Sequence, residues 1–91
     1  MTVATLVSYD PTLKTVTVAG DISIASLTSI INQTRGKDLF VVGQTPVTNR
    51  VFSGGNTTFT LDTNTSGDNA SDVLSVRYQA DSANYATAAQ G

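Results

Sequence analysis

The segment Thr15-Val16-Thr17-Val18-Ala19 alternates polar and apolar side chains without a break. A period of two is the pattern of a strand with one face turned to a core, here Val16 and Val18, while Thr15 and Thr17 face out. Once that strand is fixed, its neighbours must pair with it in a register that shares the buried face. Thr2 to Tyr9 reads as a strand of mixed faces just before it. Asp10-Pro11-Thr12 separates the two: proline presets φ and aspartate caps the turn. The two segments therefore predict a hairpin.

Further strands follow the same logic. Leu39 to Val42 is a short continuous apolar run, as expected of a buried strand. Val47 to Phe52 is less regular, Ser53-Gly54-Gly55-Asn56 is a hairpin turn, and Thr57 to Leu61 returns with Phe59 and Leu61 inward. Val73 to Tyr78 closes the fold with Leu74, Val76 and Tyr78 on the core face. One segment reads differently. Ser26 to Arg35 places Leu27, Ile30, Ile31 and Thr34 at helical spacing, with Ser26 as a cap and Gly36 as a stop. A short helix packed on the sheet through Leu27, Ile30 and Ile31 is expected. The fold class is therefore mainly β: a compact β-sandwich or small β-barrel of about six strands with one short helix. Residues 1–80 form a single β-domain and residues 81–91 an extended C-terminal arm.

A chain of 91 residues buries only roughly 60% of its unfolded surface, so its stability needs support. Disulfides cannot give it, because the chain has no cysteine; it also lacks histidine and tryptophan. Zinc sites, Cys nucleophiles and Ser-His relays are excluded with them. Assembly into an oligomer is the remaining support. The acids are all aspartate and nearly all fall in predicted turns, which explains them without catalysis. Gly54-Gly55 lacks the Lys-Ser/Thr and helix of a phosphate loop. No enzyme and no cofactor is expected. The net charge is −2 and the five basic residues are scattered, so no nucleic-acid footprint is present. No apolar run has the length of a membrane span, and Met1 to Tyr9 does not read as a signal peptide. Polarity comes instead from Thr, Ser, Asn and Gln, a surface that protein interfaces tolerate well.

Asp62 to Asp72 begins like a calcium loop, with oxygen donors at positions one, three and five and glycine at six. Its twelfth position is Val73 rather than a bidentate glutamate, so a metal-free connecting loop is expected. Four Asn-x-Ser/Thr triplets, at Asn32, Asn56, Asn64 and Asn69, follow from composition and are not read as glycosylation sites. Tyr9, Tyr78 and Tyr85 form no sugar-binding cluster in the sequence. Asp81 to Gly91 is built of small residues around one aromatic. It reads as an arm docked on a neighbouring chain, with Ala83, Asn84, Tyr85, Ala86 and Thr87 as the partner-binding residues.

Thr57 to Gly67, followed by Ser71-Asp72-Val73-Leu74-Ser75-Val76-Arg77-Tyr78, resembles a pattern in small structural proteins of tailed bacteriophages. There a Thr-rich strand precedes a Ser-Asp-x-Leu-x-Val-x-Tyr strand; Gln79 stands here where an acidic residue is frequent. The match covers about a fifth of the chain. It implies a non-enzymatic virion component: a capsid decoration or cement protein, or an accessory piece of neck, tail or baseplate. Its partners would be major capsid or tail proteins and further copies of itself. The alternative is a receptor- or glycan-binding module of a fibre or baseplate tip.

Overall fold

The computed structural model describes residues 2–42 and 47–79. Eight strands occur among them: β1 (Thr2–Ala4), β2 (Leu6–Asp10), β3 (Thr15–Ala19), β4 (Leu27–Asn32), β5 (Lys37–Val41), β6 (Val47–Ser53), β7 (Asn56–Leu61) and β8 (Leu74–Tyr78). A single 3-10 turn, Ile24–Ser26, precedes β4. The strands form two four-stranded antiparallel sheets, ordered β1-β8-β4-β5 and β2-β3-β7-β6. Both keep their edges, so the barrel expected as one option is not formed. One core lies between the sheets. Val16, Val18, Phe59, Leu61 and Tyr9 enter it from one, and Leu27, Ile30, Leu39, Phe40, Leu74 and Val76 from the other.

The alternation in β3 holds: Val16 and Val18 are fully buried, and they pair with Phe59 and Thr57 of β7. Outside, Thr17 and Thr58 face each other and their hydroxyls meet at 2.9 Å. The β6–β7 hairpin turns at Gly54 and Gly55 with φ of 60° and 83°. Positive φ at both central residues is what a two-residue turn matched to sheet twist requires, and glycine adopts it without strain.

Two sequence expectations are corrected. The expected single strand over Thr2 to Tyr9 is broken at Thr5, so β1 lies in one sheet and β2 in the other. The expected helix over Ser26 to Arg35 is strand β4. Its register against β8 runs Leu27↔Tyr78, then Ser29↔Arg77, leaving Thr28 as an extra residue on β4. That bulge spaces the two buried residues Leu27 and Ile30 three apart instead of two and so mimics a helical repeat. These corrections turn six strands into eight.

The bulged register separates two neighbours of equal size. Ile30 is fully buried while Ile31 is half-buried. Ile30→Ala should lower stability by about 2–5 kcal/mol, and Ile31→Ala by less than about 2 kcal/mol. Urea denaturation measures both; equal losses would contradict the register.

Candidate functional site

The densest group of ionisable side chains lies where the β7–β8 connection crosses from one sheet to the other. That connection is the polar segment Asp62 to Val73, and it is tied down internally. Asp68 and Asp72 donate their amides to the carbonyls of Thr65 and Asn69 at 3.0 and 2.9 Å. Thr65, itself buried, reaches the Pro11 carbonyl of the β2–β3 turn at 2.5 Å. These turns point Asp68 and Asp72 inward, where their side chains are only 2% and 4% exposed.

Two buried carboxylates need compensation, and residues of three strands and a turn provide it. Asp68 accepts hydrogen bonds from the Tyr9 hydroxyl at 2.7 Å, from Lys37 Nζ at 3.2 Å and from Asn32 Nδ2 at 3.3 Å. Asp72 accepts from Arg35 Nε at 2.6 Å, Asn32 Nδ2 at 2.8 Å and the Asn69 amide at 3.0 Å. Asn32 sits at the centre, fully buried, and its own Oδ1 accepts from the Arg35 amide at 3.2 Å. Two acids thus face two cations, and the group is electrically closed.

The titration behaviour follows. The Arg35 side chain, then Asn32 and the Asn69 amide, draw the Asp72 carboxyl down to about 2. Burial alone would raise the Asp68 carboxyl, but the bonds from Tyr9 and Lys37 outweigh it and hold it below the usual range. Burial, reinforced by Asp68, pushes the Tyr9 hydroxyl well above its ordinary value. At neutral pH, therefore, the acids are charged acceptors and the tyrosine is a donor. None is poised to exchange a proton near neutrality, as general acid–base chemistry needs.

No sequence pattern marks the group as a unit, since Tyr9, Asn32, Arg35, Lys37, Asp68 and Asp72 come from three separate stretches of chain. The Asp62–Asp72 loop does not gather its oxygens in calcium-loop order: its two inward carboxylates are occupied by Arg35 and Lys37. Among the described residues no cluster of three or more His, Cys, Asp or Glu side chains is placed to hold a metal. Ala83, Asn84, Tyr85, Ala86 and Thr87 lie outside the described residues.

Tyr9→Phe removes one hydrogen bond to a buried carboxylate and should destabilise the domain by about 1.5–3 kcal/mol in urea titrations at pH 7. Asp72 also predicts an acid limb. Its carboxyl lies near 2 in the fold and near 3.9 in an unfolded chain. The stability it contributes is therefore complete above about pH 4 and is lost as pH falls towards 2. Melting temperature against pH should drop across that window, and Asp72→Asn should flatten the drop.

Compared with family models, with curated proteins and with solved structures, the chain matches none of them.

Proposed function

We propose that this chain is a non-enzymatic virion structural protein of a tailed bacteriophage, a two-sheet sandwich bound in multiple copies to capsid or tail surfaces as decoration or cement. The observation that carries the binding part is where charge and apolar surface lie. Asp68, Asp72, Arg35 and Lys37 are turned on one another, whereas β6 shows exposed Val51 and Phe52. Among the described residues β6 pairs on one side only, with β7. An edge strand with exposed apolar side chains offers main-chain hydrogen bonds and an anchor to another protein. Natural proteins usually blunt such an edge unless it is used.

The phage assignment rests on the resemblance over residues 57–67 and 71–78. Its positions have structural duties here: Asp72 anchors the polar group, Leu74 and Val76 fill the core, and Tyr78 packs against it.

The test is to add purified chain to particles lacking it and count bound copies by quantitative mass spectrometry. Many copies per particle are expected, and Phe52→Asp should reduce them at least about tenfold while leaving the melting temperature unchanged, as loss of an aromatic anchor does. Failure of the unmodified chain to bind would overturn the proposal.

A further inference from the structure

On the other sheet's open end lies a depression of about 520 Å³, lined by Asp21, Ile22, Ser23, Ala25, Ser26, Tyr78 and Gln79. Its size falls in the range of small-molecule sites. Residues 21–26 and 78–79 are far apart in sequence and are brought together because Leu27 and Tyr78 are partners in the β4–β8 ladder.

The wall of this depression is fixed by bonds from outside it. Thr57, fully buried in β7, donates its hydroxyl to the Gly20 carbonyl at 2.6 Å and accepts the Ile22 amide at 3.0 Å. Arg50 of β6 donates Nε to the Ile22 carbonyl at 2.7 Å and pairs through its other end with one oxygen of Asp21. Ser23 and Ser26 bond each other across the 3-10 turn, and the Gln79 amide closes on the Ser26 carbonyl at 2.8 Å. Beside these bonded groups, the lining includes Asp21, Tyr78 and Gln79. No bond from the last two side chains is formed among the described residues.

We propose that this depression binds a neutral saccharide. An aromatic ring offers an apolar face with a polar rim, matching the C–H face of a pyranose. A carboxylate oxygen accepts from sugar hydroxyls, while an amide both donates and accepts. Asp21 is paired with Arg50 and the described lining residues hold no other charge, so neither an anionic nor a cationic ligand is favoured. Because the wall is already held, little ordering is needed on binding. The inference is independent of the virion reading and would stand for a chain of any origin.

The test is a ¹⁵N-labelled NMR titration of the full chain with glucose, galactose, N-acetylglucosamine, lactose and cellobiose. Galacturonic acid and glucosamine serve as charged controls. At least one neutral sugar should give saturable shifts at the Ile22, Ser23, Ser26, Tyr78 and Gln79 amides, with a dissociation constant on the order of 1 mM. Gln79→Ala and Tyr78→Leu should each weaken it at least about fivefold, since both remove a contact while leaving the backbone ladder in place. Tyr78→Phe should keep most of the affinity. Circular dichroism melting checks that each variant is folded; where Tyr78→Leu is not, Gln79→Ala decides. No saturable shift with any neutral sugar, responses centred elsewhere, or affinity indifferent to Gln79→Ala would overturn the proposal. So would tighter binding of either charged control.

Discussion

Two buried carboxylates, Asp68 and Asp72, set the terms for the rest of this fold. Each would be costly alone in an apolar surrounding. Satisfying them draws Tyr9 from β2, Asn32 from β4, Arg35 from the β4–β5 turn and Lys37 from β5 to one point. The connection that bears the two acids is also the chain's passage from β7 in one sheet to β8 in the other. A polar crossover therefore locks the two layers together at one end of the core. That explains how a chain without disulfides holds a connection of Thr, Asn, Ser, Gly and Asp with no large apolar residue before Val73.

The opposite end of the molecule is organised by smaller means. Thr57 holds residues 20–22 against β7, and Arg50 clamps the same stretch from β6. Both ends use polar side chains that are buried or half-buried, so the uncharged composition does not mean a featureless surface. Asp68, Asp72, Arg35 and Lys37 at one end and Asp21 and Arg50 at the other are held in ion pairs, and exposed apolar side chains such as Val51 and Phe52 stand on edge strand β6. That distribution is why the proposed role is binding.

Much of the sheet structure was legible in the sequence, because alternation and turn chemistry are local. Val16, Val18, Phe59, Leu61, Leu74 and Val76 all face the core as their spacing implied, and Gly54-Gly55 makes its turn. Where the reading failed, an irregularity had changed the period. Thr28 is the extra residue of a bulge, so Leu27 and Ile30 copy a helix. Thr5 is a corner between sheets, which no periodicity announces. The polar group and the depression were not legible at all, since each joins residues dozens of positions apart. The one hint was Asn32, a polar residue at the end of an apolar run, with an acid-rich loop far downstream to receive it.

The central claim is that the crossover from Asp62 to Val73 is pinned to the fold through Thr65, Asp68 and Asp72 rather than being a free loop. Native-state hydrogen exchange tests it most directly, residue by residue. Asp68, Asp72 and Val73 donate their amides within the structure, whereas Ser66 bonds only the nearby, exposed Asn64 side chain. The account predicts that the Asp72 and Val73 amides open with free energies close to those of Val16 and Phe59, and that Ser66 exchanges much faster. Exchange at Asp72 and Val73 as rapid as at Ser66 would contradict it.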